Sequence, residues 1–170
     1  MMKLRLPSHR RSRQRGVAAV EFAILLVPML ILGFGIVEYG RAVYQYNTIV
    51  KSVRSAVRVL SQQSPDDIGY AARISEAKCL AVFGNLTCSG KALASGLTVS
   101  NIKVCDRVGS SECGELTQND FKNVATGQGT INLVMVRVSG YQFAFLGLPF
   151  VSAVSTLNFG PVQAVMRQRG

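Results

Sequence analysis

Residues 10–60 read RRSRQRG, then VAAVEFAILLVPMLILGFGIVEYGR, then AVYQYNTIVKSVRSAVRVL, and the middle portion decides the fold. Between Val17 and Val37 the only charged residue is Glu21. At about 1.5 Å of rise per residue this stretch makes a helix of about 31 Å, enough to cross the hydrocarbon core of a bilayer. If Glu21 marked the end of the span, the rest up to Val37 would cover only about 24 Å, short of the usual ~30 Å. Glu21 is therefore expected inside the apolar segment. Charged groups at a helix centre cost roughly 2.5–3.5 kcal/mol on insertion scales, and less near an end, so a partner for the carboxylate is expected.

Upstream lie Lys3, Arg5, Arg10, Arg11, Arg13 and Arg15, with no acid before Glu21. Cations flanking a span stay on the cytoplasmic side, which puts the N-terminus in the cytoplasm and the remainder of the chain across the membrane. An arginine run can also bind nucleic acid, but one that abuts a membrane span is explained by topology, and no nucleic-acid partner is expected.

The junction Gly16-Val17-Ala18-Ala19-Val20-Glu21 places a glycine after a basic leader and a glutamate at the fifth position of an apolar helix. It resembles the type III signal of type IV pilins. A conventional secretory signal would show a small-residue site after a shorter apolar core, on the far side of the membrane. The resemblance implies cleavage after Gly16 by a prepilin peptidase, Val17 as the new N-terminus, and Glu21 as the acid that neutralises the amine of an incoming or neighbouring subunit. An amine and a carboxylate in low dielectric attract strongly, and either is costly to leave alone. The alternative is a signal-anchor helix in which the glutamate is incidental.

The similarity extends along the helix. The stretch VEFAILLVPMLILGFGIVEYGRAVYQY (20–46) is similar to the first helix of the TadE-like family, the pseudopilins of tight-adherence (Tad, Flp-type) pilus systems. The residues that carry it are Glu21-Phe22-Ala23, Pro28 within the span, and Glu38-Tyr39-Gly40-Arg41 as the turn that leaves the bilayer. Arg54 and Arg58 match paired arginines at the same spacing in that family. VRVSGYQFAF and GPVQAVMR, nearer the C-terminus, resemble it more loosely. Pro28 removes an intrahelical hydrogen bond and is expected to kink the helix, while Gly33 and Gly35 permit close approach of a second helix.

Beyond Tyr46, Ile49, Val50, Val53, Ala56, Val57 and Leu60 form a helical apolar stripe, with Lys51, Arg54 and Arg58 on another face. The helix is therefore expected to run from 17 to 61, spanning the membrane over about 17–38 and lying against a globular domain thereafter. Residues 66–83 predict a second helix with aspartates at its start, and residues 84–96 a loop. Residues 97–105 alternate as a strand does, and 106–128 form a polar region. Residues 130–139 suit a central strand, Tyr141, Phe143 and Phe145 alternate in the next, and Gly140 between them makes a tight connection. Residues 146–149 break the pattern, 151–159 fit either helix or strand, and 162–166 fit an edge strand. The fold class that results is α+β. It comprises a basic leader (1–16), a long N-terminal helix (17–61), and a small pilin-like periplasmic domain with an antiparallel sheet (62–170).

The chain carries 19 Lys and Arg against 9 Asp and Glu, a net charge of +10. Six of those cations precede Gly16, so thirteen remain against nine acids after cleavage, a net charge of +4. Cys79 and Cys88 bracket eight residues, and Cys105 and Cys113 bracket seven. An even count in an exported domain favours two disulfides, and local pairing is the simplest of the three connectivities. A zinc site would want tighter C-x₂₋₄-C pairs.

His9, the only histidine, lies in the leader, so a processed chain has neither a histidine for a catalytic triad nor a histidine metal ligand. No G-x-S-x-G, H-E-x-x-H or glycine-rich phosphate loop is present. Asp106, Glu112, Glu115 and Asp120 are read as solvated surface rather than a cation site. No cofactor, metal or catalytic residue is expected. The expected protein is a non-enzymatic minor pseudopilin of the bacterial inner membrane, single-pass, and extractable into a pilus. Its partners would be the membrane, the prepilin peptidase, other pilins and pseudopilins, and the inner-membrane assembly platform. The rival reading is a permanently anchored periplasmic binding or adhesion module.

Overall fold

A computed structural model of the chain describes residues 13–146 and 156–169, with the backbone alone for 13–15. The leader lies largely outside the described residues, as does the ambiguous stretch 151–155. The first element is α1, Arg13–Ser61, a helix of 49 residues that runs on through Pro28. The chain divides into two compact units between Tyr39 and Gly40.

In the first unit, residues 16–37 are exposed along the whole helix, apart from a half-buried Ile31. An 18-residue window reaches a mean hydropathy of 2.5, and none of it is buried within the protein. This is the one helix among the described residues that is long and apolar enough to cross a membrane. A helix whose faces are apolar but for Glu21 has little polar side to give to water, which is consistent with a single-pass membrane anchor.

The second unit contains α1 from Gly40 onward, then α2 (Tyr70–Phe83) and six strands: β1 (Ile102–Cys105), β2 (Val124–Thr126), β3 (Gly129–Val138), β4 (Gln142–Ala144), β5 (Thr156–Asn158) and β6 (Val162–Gln168). β3 is central and antiparallel to its three neighbours. β1 pairs with Met135 to Val138, β2 with Gly129 to Ile131, and β6 with Asn132 to Val138. β4 and β5 form a separate antiparallel pair.

α2 begins four residues later than the sequence predicts. The Asp66 carboxylate pairs with Arg107, and Asp67 offers its carbonyl to the Tyr70 N–H at 2.9 Å, so neither aspartate side chain caps the helix. α2 ends at Gly84, whose φ of +74° suits a left-handed cap, and the Gly84 N–H reaches Leu80 O at 3.0 Å. The strand predicted over 97–105 is shortened at its start. The Asn101 carboxamide accepts from the Thr98 N–H at 2.9 Å, which winds Val99–Asn101 into a 3₁₀ turn before β1. Gly140, at φ +68°, makes the turn out of β3.

Two apolar clusters lie on opposite faces of the sheet, because side chains alternate along β3. The larger joins Ile49, Val53, Ala56, Val57 and Leu60 of α1 to Ala77, Ala81 and Val82 of α2. Ile102, Val134, Val136, Val138 and Val162 complete it from the sheet. Fully burying each such Val, Leu or Ile contributes about 1.5–3 kcal/mol, which fixes α1 on the domain after Gly40. The smaller cluster holds Cys105, Cys113, Phe121 and Met135, with Leu133 packed against it.

Candidate functional site

The residues singled out by sequence fall into separate places. Gly16 and Val17 lie within α1, so the bond expected to be cut is helical. An added Cβ at Gly16 would meet nothing, and Val17 is 59% exposed. Glu21 sits one turn on and is exposed. On its own face lie Val17, Ile24 and Leu25, all exposed and apolar. Among the described residues no cation is paired with the Glu21 carboxylate.

At Glu38-Tyr39-Gly40-Arg41, the turn expected at the bilayer exit, the backbone stays helical through all four residues. Glu38 is buried, and Tyr39 is exposed. Arg41 makes its contacts within the second unit. Its guanidinium lies over the Phe143 ring, 4.5 Å from the centroid, and its Nη2 donates to Ala144 O at 2.7 Å. A cation on an aromatic face combined with a charge-assisted hydrogen bond ties β4 to the helix. Nearby, Phe159 packs within 5.4 Å of Tyr46, 6.0 Å of Tyr141 and 6.1 Å of Phe143. The Tyr141 hydroxyl lies 2.8 Å from Gln45 Oε1 and 3.2 Å from Ser95 O, so its one proton has two acceptors within reach. Burial pushes the Tyr141 hydroxyl pKa up, opposed by the Arg41 charge. Arg41 was legible as a motif residue, but its partners were not, because nothing in the spacing selects Phe143 among several alternating aromatics.

Cys79 on α2 is bonded to Cys88 in the following loop, and Cys105 at the end of β1 to Cys113. The residue after Cys105 departs from the sequence reading. Asp106, expected on the surface, is only 2% exposed. Its Oδ1 accepts from the Val108 and Gly109 N–H groups, both at 2.8 Å, and its Oδ2 accepts from the Tyr70 hydroxyl at 2.5 Å. Gln168 Nε2 in turn donates to that hydroxyl at 2.8 Å. Burial first, then the hydrogen bond to Asp106, push the Tyr70 pKa well above the ordinary 10.0. This network joins α2, the loop after β1, and β6. Only the sequence Asp106-Arg-Val-Gly109, which suits an Asx turn, hinted at it.

The other acids of that region serve elsewhere. Glu112 lies 3.5 Å from Lys78 and 3.6 Å from Lys103. Asp120 accepts from the Thr117 N–H at 2.7 Å, which, with the Thr117 hydroxyl, holds its carboxyl below the usual range. Among the described residues no group of three or more His, Cys, Asp or Glu is placed to hold a metal. An open groove of about 460 Å³ beside Ile68, Ile74 and Val108 has the Tyr70 ring in its wall. The Tyr70 hydroxyl donates its one hydrogen bond to Asp106.

No curated protein and no solved structure matches the chain. The family model of TadE-like proteins matches residues 16–58, which hold the exposed apolar stretch, Glu21, Arg41 and most of the buried stripe.

Proposed function

We propose that the chain is a non-enzymatic minor pseudopilin of a Tad-type pilus system. The observation that carries this reading is a helix matching the TadE-like family over residues 16–58 in which residues 16–37 are apolar and unburied around a single acid, Glu21. In this reading residues 1–16 are a cytoplasmic leader removed by a prepilin peptidase. Residues 17–38 span the inner membrane, and the domain beyond, closed by two disulfides, lies in the periplasm. Glu21 pairs with the N-terminal amine of a neighbouring pilin or pseudopilin at the assembly platform. The exposed aliphatic ring around its carboxylate supports a dry contact, where an unpaired charge costs several kcal/mol.

Glu21→Ala separates this function from a plain anchor. An anchor becomes more apolar and keeps working. A pseudopilin carrying Glu21→Ala is still inserted and still cleaved after Gly16, as intact mass would show, but surface pili and co-purification with other pilus subunits are lost. Wild-type piliation with unchanged partner recovery would reject the proposal in favour of the anchored module.

A further inference from the structure

Among the described residues β6 is paired along one of its two edges. On β3, Leu133 donates its N–H to Phe121 O at 2.8 Å, and just beyond the strand Ser139 donates to Asn101 O at 2.9 Å. Odd-numbered residues of β3 therefore direct their backbone groups toward β1 and β2. The even ones serve β6, in the register Asn132 with Gln168, Val134 with Met166, Val136 with Ala164 and Val138 with Val162. That leaves Gln163, Val165 and Arg167 directing N–H and C=O away from the sheet. The next such residue, Arg169, is already engaged, its N–H donating to Ser61 O at 3.0 Å. Among the described residues nothing bonds the outward backbone of the other three.

The side chains along this edge carry one sign of charge. Gln163, Val165 and Arg167 are exposed on one face, and Arg169 follows. The Ser61 hydroxyl donates to Arg58 O at 2.8 Å, so the bond from Arg169 to Ser61 brings exposed Arg58 to the same end. Among the described residues none of these three arginines has a carboxylate partner, whereas Asp66, Glu76 and Glu112 are all taken by other cations.

An open strand edge is a template for another strand. We infer that the outer edge of β6 receives an extended, acidic segment of another polypeptide by strand addition. Backbone hydrogen bonds form to Gln163, Val165 and Arg167, and carboxylates face Arg58, Arg167 and Arg169. A second copy of β6 fits poorly, because it would bring two more arginines and no acid. The inference is independent of whether the chain enters a pilus.

The test uses the full chain in a lipid nanodisc and a short fluorescein-labelled peptide alternating valine and glutamate, with a valine–lysine peptide as control. The expected result is saturable binding of the acidic peptide alone, with amide exchange slowed at Gln163, Val165 and Arg167 and unchanged at Ala164 and Met166. Val165→Pro removes an outward donor without touching the β3 ladder and weakens binding by roughly tenfold. Arg167→Glu weakens it as well. Three results would overturn the inference. The acidic peptide fails to bind, the proline variant binds as tightly as the parent while retaining its fold by circular dichroism, or the three outward amides are already slow before peptide is added. The last would mean that the edge is occupied by the chain itself or by a second copy, which light scattering would distinguish.

Discussion

The two parts of α1 are equally helical and similarly rich in aliphatic side chains, yet they solve opposite problems. In residues 16–37 the only charge is Glu21, and among the described residues none of the stretch is buried. In residues 49–60 the aliphatic side chains are confined to one stripe, and Ile49, Val53, Ala56, Val57 and Leu60 are each at most 1% exposed. The difference lies in where the polar residues stand. Lys51, Arg54, Ser55 and Arg58 occupy the opposite face of the lower part and leave a single apolar side to be buried, whereas the upper part has only Glu21 to offer water. Periodicity, more than hydrophobicity, therefore separates a helix that finishes its own domain from one that needs another molecule.

The sharpest way to break that contrast is to truncate the same residue type in each part. Leu60→Ala removes a fully buried side chain and should destabilise the domain by about 2–5 kcal/mol. Leu25→Ala, at a position 62% exposed, should leave the same transition within about 0.5 kcal/mol. Urea unfolding of the full chain in detergent, followed by near-UV tyrosine dichroism since the chain has no tryptophan, reads both. Equal losses would mean that the upper part is also held by the domain.

The disulfides sharpen the same comparison from the side of the domain. Each closes a short loop, of 9 and 8 residues in separation, and lies wholly in the second unit. Replacing either pair by serine should lower domain stability by roughly 2–3 kcal/mol while leaving membrane partitioning of the helix unchanged. Partitioning that falls with the disulfides would contradict the independence of the two units.

A smaller effect, about 1–3 kcal/mol, is expected from Tyr70→Phe, which leaves a buried carboxylate short of a donor. Its pH dependence has a definite sign. The folded state holds the Tyr70 proton more tightly than the unfolded chain does, so the contribution is complete below about pH 10 and is lost as pH rises beyond it. The melting temperature of the parent should therefore fall above that pH, and that of Tyr70→Phe should fall less. The smallest effect belongs to Asp120. Its lowered pKa gives stability that is present above the ordinary carboxylate range and is lost as pH falls through the folded value. Asp120→Asn should flatten the acid limb of the same melting curve slightly.

The sequence by itself determined the α+β class, the long helix with its apolar and amphipathic parts, and the central position of β3. Each of these follows from periodicity along a single segment, which is a local property. Only the tertiary structure decided the start of α2, the burial of Asp106, the aromatic seat of Arg41 and, among the described residues, the unpaired edge of β6. An aspartate caps its helix or turns to an arginine 41 positions away depending on which partner the fold brings near, as Asp66 and Arg107 illustrate. Asp106 looks like a surface acid until Tyr70, 36 positions away, donates a hydrogen bond to its carboxylate. These outcomes depend on contacts between segments remote in sequence, whose energies are set by burial and geometry that no local pattern encodes.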